Sequence, residues 1–542
     1  MVSPTPIVNP ESIRTVNPSS WPQYPYNEVP LTRETSEPKY SIFTENSKKF
    51  TVRDGIDLYY DIYRPNVSGE KFPTLLSWSP YTRQLQPTVV PIGQNEAGLT
   101  EFWVPRGYVQ VIADVRGSND SGGSWDHWGP EEQKDLKEMI EFIANQPWCN
   151  GKVGMIGCSY FGMSQLLGAE QQPEGLSAIF PYDAMTDLYR DAYYHGGIYS
   201  AWARFWFTSL MFLNHTSGRV KDLSGFNYHF NRVLSGKDSL DGEYFQERSS
   251  WRNLPKIKIP TYLGCDWNFY GLHLRGAFEG WDLIPESTPK RMLIGPEPQP
   301  RRPFGVYHFE ALRWYDHYLK GLDTGVNDGP PINLFIQGEN TWRVEKEWPL
   351  ERTTWKELYL DGEKLTENVS SSGERVYKFV PGTPKAKLGE PKLVFKTTPA
   401  EKPFEITGPL VLKLFAVSDQ DDTDWFVFIK DQSPDGSEKI LTRGFLKASH
   451  RALDSERSKN WRPWHPHDKV ELIEPGEVYE YEIEIVPTCN LFLEGHSLKL
   501  EISSCDPVTN LIYTHDPIPR TVTNIILTGK DQSRLIIPFI PR

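Results

Sequence analysis

Cysteine is scarce in this 542-residue chain, with five at Cys149, Cys158, Cys265, Cys489 and Cys505. The number is odd and the spacing matches no metal-ligand pattern, which excludes a disulfide framework and reads as reduced thiols in a cytoplasmic protein. Long apolar runs are missing: no window approaches the roughly 20 residues a membrane-spanning helix needs. The opening MVSPTPIVNPESIRTV has no apolar core behind basic residues, so no secretory signal is expected. Positive charge is the minority sign. The 58 Lys and Arg against 71 Asp and Glu leave a formal charge of -13, which argues against nucleic acid or an anionic membrane as partner. No internal repeat or low-complexity tract is found, and no cofactor or metal is expected.

Aromatic surface is abundant: 18 Trp, 26 Tyr and 27 Phe. Residues 1–40 are rich in proline and polar residues and read as an arm. Residues 41–175 carry strand and helix signals in alternation. KFTVRDGIDLYYDIYRP alternates through a hairpin turning at Asp54-Gly55, FPTLLSWSPY and YVQVIADVRG are buried-strand runs, and PEEQKDLKEMIEFIANQ is an amphipathic helix. That order predicts parallel pairing with right-handed crossovers. Residues 176–255, with TDLYRDAYYHGGIYSAWARFWFTSLMFLNH, read as a helical, aromatic cap. Residues 256–330 return to buried strands and a closing helix, FEALRWYDHYLKGLD. From 335 to 542 the period is two, in runs such as LVLKLFAVS and VYEYEIEIV, which predicts an all-β sandwich or jelly roll.

GKVGMIGCSYFGMSQLLGAEQ, residues 151–171, is a strand, a tight turn on Ser159 and a helix. This is the shape of a nucleophile elbow, which holds a serine hydroxyl at the strand's carboxyl end with the following N–H groups facing the reacting atom. The usual second glycine, two places after the serine, is Phe161 here.

These motifs in order resemble the CocE/NonD family of α/β-hydrolases, which holds cocaine esterase, α-amino-acid ester hydrolases, glutaryl acylases and X-prolyl dipeptidyl peptidases. The resemblance runs from about residue 45 to the end. It is carried by RDGIDLYYDIYRP, SPYTR, DVRGSNDSGGSW, QPWCNGKVGMIGCSYFG, YYHGG, RWYDHYLKG, DTDWFVFIKDQSPDG, RGFLKASHR and EGHSLKLEISSCD. The family's elbow reads G-x-S-Y-x-G, which Gly157, Ser159, Tyr160 and Gly162 satisfy. The resemblance implies an α/β-hydrolase core, an inserted helical cap and a carboxy-terminal jelly roll. It also implies a catalytic Ser159, with an oxyanion hole made by the Tyr81 hydroxyl and the Tyr160 N–H.

Serine needs a base, and the base an orienting carboxylate. In the family the acid follows one strand and the histidine the next. Here the acid's place falls on Phe269 to Gly271, with Asp266 the nearest carboxylate, and the histidine's place holds Gln299. His308, His273 and His195 are the substitutes considered for the base, and Asp266 for the acid. Two classes of function follow. One is a serine ester or amide hydrolase, or acyltransferase, with a rearranged triad. The other is a non-hydrolytic isomerase, cyclase or carbon–carbon bond enzyme of specialised metabolism, using the oxyanion hole alone; an inactive binding protein is the bland third. The aromatic cap points to a largely apolar small molecule as partner, and a homodimer is left open.

Overall fold

The computed structural model describes residues 33–86, 96–216, 219–235, 239–296, 308–369, 372–507, 514–530 and 532–542. Most of the expected arm, residues 1–32, and Gln299 lie outside the described residues.

The strands up to Glu345 are β1 (Ile42–Thr51), β2 (Asp57–Pro65), β3 (Phe72–Ser79), β4 (Val109–Asp114), β5 (Cys149–Met155), β6 (Leu176–Ile179), β7 (Tyr194–His195), β8 (Ile198–Tyr199), β9 (Thr261–Asp266), β10 (Lys290–Gly295), β11 (Ile332–Ile336) and β12 (Thr341–Glu345). All but β7 and β8 form one ten-stranded sheet, in the order β1-β2-β4-β3-β5-β6-β9-β10-β11-β12. The strands from β4 through β3, β5, β6, β9, β10 and β11 are parallel, and both edges are antiparallel. FPTLLSWS and VQVIAD are buried along their whole length, as parallel strands covered on both faces must be. The helices that matter for the site are α1 (Pro130–Ala144), α2 (Tyr160–Glu170), α3 (Ala201–Trp206), α4 (Leu274–Leu283) and α5 (His308–Tyr315). This is an α/β-hydrolase core.

The first sheet does not end near 330, where the sequence places the boundary. β11 pairs parallel with β10, and β12 closes the edge as a hairpin, so the division falls after Glu345. INLFI is buried at every position, a fully covered strand that alternation alone cannot assign to either sheet.

Beyond it, eleven strands between Thr354 and Ile540 make an all-β domain. Its longest members, Phe404–Ser418 and Val478–Phe492, pair antiparallel. The last strand, Arg534–Ile540, pairs with both Thr354–Asp361 and Phe404–Ser418, which closes the sheet on itself around an apolar core of its own.

The cap is not one continuous helical stretch. YYHGGIY folds as the hairpin β7–β8, turning at Gly196 and Gly197, with φ values of 56° and 84°. The turn plugs into the all-β domain: a Cβ at Gly196 would stand 2.0 Å from the Phe445 carbonyl oxygen. Ile198 packs with Phe426, Phe428 and Phe445, and the Lys447 N–H donates to the Gly196 carbonyl at 2.8 Å. A docked glycine turn explains why helical spacing breaks here. Only then does the chain enter α3. No helix among the described residues is long and apolar enough to cross a membrane.

Candidate active site

Ligand sites of parallel α/β sheets lie outside the carboxyl ends of the strands. Here Tyr81 follows β3, Ser159 follows β5, Tyr182 and Asp183 follow β6, and Asp266 ends β9. Parallel bridges join Cys158 to Tyr182 and Tyr182 to Gly264, which keeps these ends side by side.

Ser159 has φ 59° and ψ −118°, a conformation L-residues rarely adopt and one that costs on the order of 1–3 kcal/mol. The elbow is held there by the Ser159 N–H on the Tyr182 carbonyl at 3.1 Å and the Cys158 N–H on the Glu96 carbonyl at 3.0 Å. The glycine pattern has a steric cause. A Cβ at Gly162 would meet the Tyr182 carbonyl oxygen at 2.6 Å, so crowding falls at that position and leaves Phe161 room. Ser159 is half-buried at the head of α2, and Tyr160 takes the first helical place, where an N–H lacks an intrahelical acceptor.

Tyr81 is buried, with its ring edge-on to Tyr160 at 5.8 Å and to Phe161 at 6.0 Å. Its hydroxyl accepts the indole N–H of Trp206, at the end of α3, at 3.0 Å. The turn that carries it is pinned from behind. Asn119 donates to the Pro80 carbonyl and to Asp114, both at 3.0 Å, and buried Arg83 pairs with Asp114, Asp61 and Asp120. Burial still lifts Asp114 to about 7 against the pull of Arg83. SPYTR and DVRGSND are therefore one unit whose product is a rigidly placed Tyr81.

Sequence reasoning missed the wall behind Tyr160. Its hydroxyl donates to Glu132 on α1, at 2.9 Å to one carboxylate oxygen. Burial raises Glu132 to about 8. The Tyr160 ring stacks on Trp128 at 3.9 Å, and Trp128 lies parallel to Trp206 at 5.8 Å. The one available signal was the sequence WDHWGPEE, which puts aromatics and carboxylates at the start of α1.

The residues considered as triad partners lie as follows. His308 is the first residue of α5, buried against Phe102 at 4.7 Å, its Nε2 accepting the Leu99 N–H at 3.4 Å. His273 is buried just before α4, with its ring 5.5 Å from that of Phe269. His195 sits on β7 at the seam with the all-β domain, its Nδ1 2.6 Å from His515 Nε2. Asp266 is buried and accepts the Tyr182 hydroxyl at 2.7 Å. All twelve histidines fall among the described residues, and none of them hydrogen-bonds Ser159. No group of three metal-ligating side chains occurs among the described residues.

Residues 54–296 match the family model of the X-Pro dipeptidyl-peptidase (S15 family), and residues 324–536 match that of the X-Pro dipeptidyl-peptidase C-terminal non-catalytic domain. The cocaine esterase of Rhodococcus sp. is 27% identical, over 91% of this chain and 97% of its own. A putative serine esterase of Mycobacterium bovis is 26% identical, over 88% and 92%. A solved CocE/NonD family hydrolase from Staphylococcus aureus superposes with a TM-score of 0.80 at 27% identity, covering 92% of this chain and 94% of that one. An α-amino acid ester hydrolase shares the fold, with a TM-score of 0.75 at 19% identity over 94% and 99%.

Proposed function

We propose that this chain, which belongs to the CocE/NonD and S15 family of serine hydrolases, binds a largely apolar carbonyl compound and turns it over without a histidine-activated serine. The Tyr81 hydroxyl and the Tyr160 N–H face the carbonyl oxygen and stabilise the negative charge that grows there as bonds rearrange. Polarising a carbonyl needs donors and no nucleophile. The reaction class is then an isomerisation, a cyclisation or a carbon–carbon bond change, with the aromatic wall around Trp128 and Trp206 supplying apolar surface. One observation carries this reading: the place at which the resemblance puts the family's histidine holds Gln299, and an amide cannot take a proton from serine.

A hydrolytic reading with a rearranged triad draws on a different observation. The strained Ser159 conformation is retained, and relatives over nearly the whole length carry the name of serine esterase. Labelling with a fluorophosphonate separates the two, because it needs an activated serine and no known substrate. The expected outcome is labelling no faster for the wild type than for Ser159→Ala. Rapid, Ser159-dependent labelling would establish the hydrolytic reading instead and send the search for the base to His308.

A further inference from the structure

We infer that Trp206 is a positioning residue, which sets the direction of the Tyr81 proton and so makes the oxyanion hole a joint product of the cap and the core. The inference rests on the carbonyl-binding reading above and adds to it a residue of the cap, which acts through Tyr81.

The chemistry of the pair allows one arrangement. An indole N–H donates and accepts nothing, so in the 3.0 Å contact Trp206 is the donor and the Tyr81 oxygen the acceptor. Trp206 is only 2% exposed, and leaving a buried donor unmet costs about 1–3 kcal/mol, so the contact is not given up lightly. A phenol O–H prefers the plane of its ring, which offers two directions. With the indole N–H on one side of the oxygen, the phenol proton takes the other. The Tyr81 ring stands against Tyr160 and Phe161, the two residues that follow Ser159, which places this hydroxyl at the elbow.

The indole is itself held. Trp128 stacks parallel to it at 5.8 Å and 6°, and Trp202 lies on it at 5.6 Å and 14°. Trp128 in turn stacks on Tyr160, whose N–H is the second donor. One column of rings therefore fixes both oxyanion donors, Tyr160 at one end through its ring and Tyr81 through the indole N–H. The column crosses from α2 in the core to α3 in the cap.

The test uses 4-nitrophenolate, whose charged oxygen mimics the developing oxyanion, and 4-nitroanisole, its neutral analogue. The readouts are the affinity ratio of the two probes and, by absorbance, the pH at which bound nitrophenol ionises. The wild type is expected to prefer the anion, and Tyr81→Phe to abolish the preference. Trp206→Phe, which keeps a ring in the column but removes the N–H, should cut the preference roughly two- to twelve-fold, the worth of one neutral hydrogen bond, and move the bound ionisation to higher pH. Its affinity for 4-nitroanisole should stay close to that of wild type, because a neutral ether oxygen gains little from the Tyr81 proton. Trp202→Phe, which keeps a ring on the indole and leaves the Trp206 N–H in place, should change the ratio less than Trp206→Phe does. A preference that survives Tyr81→Phe, or a wild type without one, would overturn the carbonyl-binding reading and this inference with it. A preference lost in Tyr81→Phe but intact in Trp206→Phe, or lost equally in Trp202→Phe, would overturn the inference alone.

Discussion

The hydroxyl of Tyr182 donates to Asp266 at 2.7 Å, while the carbonyl of the same tyrosine receives the Ser159 N–H at 3.1 Å. A carboxylate at the end of β9 is thereby tied to the serine elbow through a single residue, by its hydroxyl on one side and its backbone carbonyl on the other. Replacing Asp266 by Ala would leave the buried Tyr182 hydroxyl without this acceptor, at a cost of about 1–3 kcal/mol. Chemical denaturation should show that loss in Asp266→Ala and a smaller one in the double variant with Tyr182→Phe, because there both partners are gone. Equal losses in the two variants would mean the pair is not coupled.

Tyr81 is the residue on which both enzymatic readings depend. Once turnover of the natural substrate is followed, Tyr81→Phe should lower it by roughly 10²–10³ with the circular dichroism spectrum unchanged. Undiminished turnover would reduce Tyr81 to a packed ring.

Gly196 is expected to be intolerant of any side chain. Its φ is 56°, and a Cβ there would lie 2.0 Å from the Phe445 carbonyl oxygen, which is backbone and has no rotamer to yield. Gly196→Ala should cost about 2–4 kcal/mol through strain and a forced parting of the cap hairpin from the all-β domain. Gly242→Ala, where nothing lies within 4 Å, is the control and should be nearly neutral. A thermal melt compares the two directly.

Glu132 makes stability depend on pH in a direction that can be worked out. Burial raises its carboxyl from 4.5 to about 8 in the folded protein, so between those values the native state holds a proton the unfolded chain has released. Its contribution is therefore fully present below about pH 4.5 and is lost as pH rises through 8. Glu132→Gln should flatten this part of the profile, gaining on the wild type at pH 8.5 relative to pH 5. The buried histidines act on the opposite flank. Burial holds His215 at about 4 and His229 at about 3, so their contribution is present above 6.5 and lost as pH falls through those lower values. A wild-type profile as steep as that of Glu132→Gln above pH 5 would contradict the assignment.

The elbow, the place of Tyr81 and the all-β domain could be read from the chain alone because their determinants are local. The G-x-S-Y-x-G spacing follows from crowding within one turn: Gly157 sits at φ 131°, and Gly162 faces the Tyr182 carbonyl. The position of Tyr81 followed from SPYTR, and the all-β domain from its period of two. The cap hairpin was hidden because its two glycines answer to Phe445 and His450, some 250 residues away, and not to their neighbours. β11 and β12 were misplaced because a fully buried five-residue run carries no alternation to assign it.

By itself, then, the sequence determined the serine elbow, a tyrosine just beyond β3 and an α/β-hydrolase core followed by an all-β domain, since all of these rest on short spacings and on residue identity. Only the tertiary structure decided what stands around Ser159. It brought Trp206 to Tyr81 across 125 residues, set Glu132 under the Tyr160 hydroxyl, put His308 under the Leu99 N–H and placed His195 beside His515. Such pairings depend on how separate elements pack. A side chain's donor can be named from its letter, but its acceptor is chosen by the fold.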